Sequence, residues 1–146
     1  MTSCLAANSN VYWPLAVMRA DLHTLAHESA FLVLAASGGE ANRGLIDFSV
    51  FNVMPKHAWL INIARGSLVD EKALIQALQN GVIAGAALDV FEDEPHVPAE
   101  LIALDNVVLQ PHVASATHET RQKMSEVVLA NVTAYFSGNV LPNAIN

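Results

Sequence analysis

The chain has little charge, one cysteine and no glycine-rich phosphate-binding loop. Only 14% of its 146 residues are charged, and the formal net charge is −7. This negative balance argues against nucleic acid or an anionic membrane as the main partner. The single cysteine, Cys4, excludes an internal disulfide and favours a reducing, cytoplasmic compartment.

The two long uncharged stretches do not look like targeting or membrane-spanning segments. Thr2–Met18 contains Asn, Pro and several hydroxyl residues and has no basic leader. Val127–Asn146 is interrupted by Asn, Thr, Gly and Pro. We therefore expect a soluble protein that neither spans a membrane nor binds one as a partner.

Several catalytic signatures are missing as well. The sequence contains no Gly-x-Gly-x-x-Gly, His-Glu-x-x-His, Cys-x-x-Cys or Gly-x-Ser-x-Gly pattern, which argues against zinc or serine-hydrolase chemistry. His23 and His27 have the i,i+4 spacing of a metal pair, but no further ligand is apparent near them. We therefore interpret them as an exposed helix face and predict no metal site.

Apolar runs of strand length alternate with helical patterns from Asp21 onward. The four runs predicted to be buried strands are Phe31–Ala35, Trp59–Ile63, Ala86–Val90 and Val107–Gln110. Asp21, Asp47 and Asp70 are placed to cap helices, and a long helix is predicted from near Thr117 to Gly138. This alternation predicts an α/β fold with a mostly parallel sheet of about four strands, flanking helices and a long C-terminal helix.

Reactive side chains follow three of the predicted strands. Arg65 follows the second strand, Asp89 and Glu94 lie at and beyond the end of the third, and His112 follows the fourth. In a parallel sheet these positions meet outside the carboxyl ends of the strands, where ligands bind. A guanidinium binds carboxylates through paired hydrogen bonds, and an imidazole exchanges protons near neutral pH. The pattern thus favours a site that binds a carboxylate and moves a proton.

Each of these residues also has a purely structural interpretation. Arg65 could be a solvated charge at a strand end, and His112 could cap a backbone group. Glu94 belongs to an acidic triplet, which by default is a solvated loop. Asp89 differs, because a carboxylate inside an apolar strand must find donors, and a ligand amide or a backbone N–H is expected nearby.

Four stretches carry a resemblance to a known family: Gly44–Asp47, Ile61–Asp70, Ala84–Pro95 and Asn106–Thr117. From about Asp21 onward the chain resembles the D-isomer-specific 2-hydroxyacid dehydrogenases, most closely their glyoxylate/hydroxypyruvate reductase-like branch. The resemblance implies a partial Rossmann-like fold and NAD or NADP as the cofactor. It also implies a small 2-keto or 2-hydroxy acid as the substrate.

The resemblance implies roles for individual residues. Arg65 would hold the substrate carboxylate, His112 would protonate the keto oxygen, and Glu94 would support His112. Asp89 would bind the nicotinamide carboxamide. The residues implied to contact the cofactor are Ile63, Ala64, Arg65, Asp89, His112, Ala114 and Ser115.

The chain departs from the family pattern at its beginning. Members of the family start with a substrate domain and a first nucleotide-binding half that carries Gly-x-Gly-x-x-Gly, and neither matches this sequence. The resemblance therefore divides the chain into an irregular, divergent segment (residues 1–20), the second half of a dinucleotide-binding domain (21–116), and a C-terminal helix and tail (117–146). Met1 is expected to be a truncated or misassigned start.

Two functional hypotheses follow from this division. The first is a truncated NAD(P)-dependent 2-keto acid reductase with impaired cofactor binding and little or no activity alone. The alternative is a non-catalytic α/β remnant that acts as an oligomerisation or partner-binding module. An exposed sheet edge beside the first strand, or the helices, would then form the interface.

Overall fold

A computed structural model describes Arg19 and residues 21–144, so the predicted irregular segment 1–20 lies outside the described residues except for Arg19. The chain divides between Pro111 and His112 into two compact units, and each is described by itself. The predicted boundaries at residues 20/21 and 116/117 stay predictions. No helix in the described part of the chain is both long and apolar enough to cross a membrane.

The first unit contains a four-stranded parallel sheet. Its strands are β1 (Phe31–Leu34), β2 (Trp59–Asn62), β3 (Gly85–Leu88) and β4 (Val107–Leu109), which pair in that order. The predicted α/β fold with four strands is confirmed. Each strand ends one or two residues before its predicted end.

Four helices connect or precede these strands: α1 (Leu22–Glu28), α2 (Phe48–Val53), α3 (Glu71–Gln79) and α4 (Ala99–Ile102). The side chains of Asp21, Asp47 and Asp70 each accept a hydrogen bond from a backbone N–H two or three residues further along. These N–H groups have no partner inside the helix, so the aspartates satisfy them and set where α1, α2 and α3 begin.

Alternate residues of the strands build the core on one face of the sheet. Leu32, Leu60 and Leu88 are buried there and belong to one cluster with Phe51 of α2 and Leu74 of α3. This apolar cluster holds the helices against the sheet. The loops that follow the carboxyl ends of the strands lie at the edge of this core.

The opposite face of the sheet also carries apolar side chains. The register places Val33 beside Ile61, Ile61 beside Ala87, and Ala87 beside Val108. Val33 and Val108 remain 51% and 52% exposed. Parallel sheets are usually covered on both faces, so this row of side chains forms an open apolar face.

The second unit contains the long C-terminal helix α5 (His118–Phe136), which confirms the prediction. Thr117 caps it by accepting a hydrogen bond from the backbone N–H of Thr120, and the chain leaves it through Gly138 at φ 69°. Within the described part of this unit, no residue of α5 is buried. The helix therefore exposes apolar side chains, among them Met124, Val128 and Leu129.

The two faces of β2 predict different costs of truncation. We expect Leu60→Ala to lower the free energy of unfolding by about 2–5 kcal/mol, because it leaves a cavity in the core. Ile61→Ala, on the half-buried opposite face, should cost clearly less. Denaturant unfolding of both variants measures the difference, and equal losses would contradict the one-sided core.

Candidate active site

The loop after β2 is held by the side chain of Asn62, the last residue of the strand. Asn62 is 1% exposed. Its Oδ1 accepts a hydrogen bond from the backbone N of Ala64 at 3.1 Å, and its Nδ2 donates to the backbone O of Arg65 at 2.9 Å. Both ends of the buried amide are therefore satisfied. The two hydrogen bonds fix the backbone from which the Arg65 side chain extends.

The side chain of Arg65 lies along Gly38, in the loop after β1. A Cβ added to Gly38 would come within 2.9 Å of Arg65 Cγ, so a larger residue there would displace the arginine. Arg65 is exposed, and its Nη1 donates a 2.6 Å hydrogen bond to the backbone O of Ala64. This carbonyl oxygen is neutral. The hydrogen bond therefore does not neutralise the guanidinium, whose positive charge can still attract an anion.

Gly66 brings the loops that follow β2 and β3 into contact. A Cβ at this position would overlap the backbone O of Phe91. The backbone N of Phe91 donates to Glu94 Oε1 at 3.0 Å, and Glu94 thereby closes the turn that faces Gly66. Arg65 and Glu94 consequently belong to two loops that abut each other.

Asp89 follows β3 directly and lies beside the end of β2. It is 6% exposed, and its backbone N donates to the backbone O of Asn62 at 2.9 Å. In the described part of the chain, Asn62 and Asp89 are the two buried polar side chains. The carboxyl ends of β2 and β3 thus bring together a buried carboxylate, a buried amide and an exposed guanidinium.

Within the first unit, the acidic loop that contains Glu94 is held at Glu92 by contacts with Arg43 and with Glu71 of α3. Arg43 Nη1 lies 3.4 Å from Glu92 Oε1, and the backbone N of Glu92 donates to Glu71 Oε1 at 3.3 Å. Burial raises the pKa of the Glu71 carboxyl, and the nearby charges of Glu92 and Asp93 raise it further, although the hydrogen bond from Glu92 acts in the opposite direction.

His112, Ala114 and Ser115 begin the second unit. His112 is exposed and has φ 55°, a left-handed conformation that is uncommon for residues other than glycine. The backbone N of Ala116 donates to the backbone O of Val113 at 2.9 Å, which closes a turn that contains Ala114 and Ser115. A left-handed histidine of this kind is a frequent feature of functional sites.

The two histidines of α1 contact α2. His23 Nε2 lies 3.0 Å from Ser49 Oγ, and His27 Nδ1 lies 3.1 Å from the backbone O of Val53. These hydrogen bonds link α1 to α2 and give both histidines a structural role. Across the residues that the structure describes, no three His, Cys, Asp or Glu side chains are grouped as metal ligands would be.

Sequence reasoning missed the role of Asn62 and the contacts of two glycines, because Gly38 was interpreted only as part of a turn and Gly66 only as a small residue that lets a ligand approach. An amide inside the apolar run Trp59–Ile63 was a usable signal, because the argument applied to Asp89 holds equally for a buried asparagine. Nothing comparable marks the two glycines. Their importance depends on Arg65 and Phe91, which only the folded chain brings to them.

The fold is that of an α/β domain with a parallel sheet, and it carries a cation and a buried carboxylate at the carboxyl ends of the strands, where such domains bind ligands. The sequence matches the family described as D-isomer specific 2-hydroxyacid dehydrogenase, NAD binding domain, over residues 6–114. The chain belongs to this family, and its domain is of the Rossmann-like type that binds NAD or NADP.

Two similar proteins illustrate the relationship. The chain is 51% identical over 117 residues to glyoxylate/hydroxypyruvate reductase A HPR2 of Arabidopsis thaliana, covering 80% of this chain and 37% of the relative. It is 46% identical over 126 residues to glyoxylate reductase of Thermococcus litoralis, covering 86% and 38%. The chain thus spans less than two fifths of these relatives.

A solved structure shows the same relationship in three dimensions. The NADPH-dependent glyoxylate/hydroxypyruvate reductase SmGhrB of Sinorhizobium meliloti, in complex with NADP and malonate, superposes with a TM-score of 0.80 at 43% identity. The match covers 85% of this chain and 39% of that protein.

The close approach of Gly66 to Phe91 predicts a costly substitution. We expect Gly66→Ala to lower the free energy of unfolding by about 1–3 kcal/mol, because the added methyl group overlaps backbone that cannot rotate away. Ser67→Ala is the matched control at the next position and should change stability little. Denaturant unfolding of both variants measures this, and a Gly66→Ala variant as stable as the parent would contradict the contact.

Proposed function

We propose that this chain carries the hydride-transfer half of the active site of an NAD(P)-dependent 2-keto acid reductase. Its substrates would be of the glyoxylate or hydroxypyruvate class, in line with the names of the similar reductases. The observation that supports this most is the exposed guanidinium of Arg65, held on a fixed loop at the carboxyl end of β2 beside the buried Asp89.

In this proposal Arg65 binds the carboxylate of the keto acid. Its planar guanidinium offers two parallel hydrogen bonds, and charged hydrogen bonds contribute about 1.5–3 kcal/mol each. Because the arginine backbone is fixed by Asn62, binding the carboxylate also orients the neighbouring keto carbon. Orientation of this kind lowers the entropic cost of reaching the transition state.

The residues at the ends of β2 and β3 carry groups that a nicotinamide ring requires, which supports the proposal. Ile63 is half exposed and offers an apolar surface, while the buried Asp89 carboxylate can accept a hydrogen bond from a carboxamide N–H. We propose that Ile63, Ala64 and Asp89 hold the ring from the first unit. From the family resemblance alone, we propose that Ala114 and Ser115 also contact the cofactor. The cofactor supplies the hydride.

We further propose that His112 donates the proton that the reduced oxygen requires. An imidazole suits this role because it exchanges protons near neutral pH. Glu94 would support His112, and the turn that Glu94 closes with the backbone N of Phe91 holds the carboxylate in place within the first unit.

The sequence contains no Gly-x-Gly-x-x-Gly segment to bind the cofactor pyrophosphate. We therefore expect the 146-residue chain alone to bind NAD(P)H weakly and to turn over slowly or not at all. Much of the length of the similar reductases lies outside the region that matches this chain. The 146 residues alone would therefore not enclose the reacting atoms, and water would reach them.

The cytoplasmic location predicted from composition stays a prediction.

Turnover of the purified chain tests the proposal. We expect oxidation of NADPH or NADH with glyoxylate or hydroxypyruvate to be slow at best, and His112→Ala to lower any measured rate by about 10²–10⁴-fold. Arg65→Ala should act mainly by weakening keto-acid binding, and Arg65→Lys should not restore it, because an ammonium lacks the paired geometry. Turnover that persists unchanged in the His112 and Arg65 variants would contradict the proposed roles.

A second candidate function is favoured by the open apolar face of the sheet. Val33 and Val108 are more than half exposed there, and β1 is an edge strand in the described sheet. Apolar edges pair readily with other chains. As an alternative, we propose a non-catalytic module that self-associates through this face or through the exposed helix α5.

Sedimentation velocity over a range of concentrations tests this alternative. Self-association through β1 predicts dimers or larger species, and Val33→Lys should shift them towards monomer by placing a charge on the edge strand. Asn80→Lys, at an exposed position after α3, is the control and should leave the distribution unchanged. A monomer at every concentration would count against the module.

A further inference from the structure

Asn62 is a polar residue at a position where the fold favours an apolar one. In the sheet it lies opposite Leu34 of β1 on one side and Leu88 of β3 on the other, both of them buried. Burying an amide costs free energy unless its hydrogen bonds are made. The core would accept a leucine in this row, so packing alone does not explain the asparagine.

The hydrogen bonds of Asn62 lead to the proposed ligand-binding residues. Its side chain holds the backbone N of Ala64 and the backbone O of Arg65, and its own backbone O accepts the hydrogen bond from Asp89 N. One buried residue thereby connects the arginine and the carboxylate that stand at neighbouring strand ends.

Fixing the backbone of Arg65 has a direct effect on anion binding. A long, exposed side chain loses rotational freedom when it binds an anion, and that loss subtracts from affinity. If the backbone is already fixed and the stem lies along Gly38, less freedom remains to be lost. The same hydrogen bonds would add to binding even if their contribution to folding were small.

We propose that Asn62 is a positioning residue for Arg65, acting through the backbone of Ala64 and Arg65 to hold the guanidinium ready for a carboxylate. The identity of that carboxylate rests on the proposed function. The ordering of Arg65 by Asn62 does not depend on it, and the two can be measured separately.

Asn62→Leu is the informative variant, since leucine matches its neighbours in the row and removes both side-chain hydrogen bonds. Asn62→Ser keeps an acceptor for Ala64 N but is too short to reach Arg65 O, and it serves as the conservative variant. Asn80→Leu is the matched control, because its Nδ2 also donates to a backbone carbonyl, that of Gln76, at 2.8 Å.

Two readouts on ¹⁵N-labelled full-length chain decide the question. The first is relaxation of the Ala64 and Arg65 backbone amides and of Arg65 Nε. The second is a titration with malonate, followed at Arg65 Nε. We expect Asn62→Leu to increase the mobility of Arg65 and to weaken malonate binding about tenfold, the size expected for losing ordinary hydrogen bonds. Asn62→Ser should fall between it and the parent, and Asn80→Leu should match the parent.

The outcomes separate this inference from the proposed function. If both Asn62 variants fold and Arg65 is as ordered in them as in the parent, the positioning role is wrong, whatever the affinity for malonate. Arg65 mobilised by the variants in a chain that binds no malonate would support positioning and contradict the proposed carboxylate site. If Asn62→Leu does not fold, the comparison of Asn62→Ser with the parent decides by the same criterion.

Discussion

The buried amide of Asn62 is the constraint on which the candidate site depends. A parallel sheet brings the ends of β2 and β3 side by side, but it does not determine how the loops leave those ends. Asn62 does so for Ala64 and Arg65 through its side chain and for Asp89 through its backbone O. The backbone positions of the proposed carboxylate-binding arginine and of the buried aspartate therefore both depend on Asn62.

The same alternation of side chains produces both the core and the open face. Leu60 and Asn62 point to the buried side of β2, whereas Ile61 belongs to the row between Val33 and Val108. The residues proposed to bind the keto acid and an uncovered apolar face therefore occur in one chain, which spans less than two fifths of these relatives. Catalysis and association are the two proposed uses of this sheet, and the experiments above distinguish them.

Local signals predicted the elements well, because their causes are local. Asp47 and Asp70 cap helices through hydrogen bonds to residues two or three positions away, and apolar runs such as Trp59–Ile63 mark buried strands. The strand ends and the glycine contacts were not predictable in this way. Gly66 matters because Phe91 packs against it, and a contact between distant loops leaves no mark in the sequence around either residue.

The most direct measurement is a titration of the ¹⁵N-labelled chain with NADPH, with chemical shifts followed residue by residue. We predict weak binding, with the changes of the first unit concentrated at Ala64, Arg65 and Asp89. Shifts confined instead to the cleft beside α3, which is lined by Lys72 and Gln76, would contradict the site. So would the absence of any change at cofactor concentrations in the millimolar range.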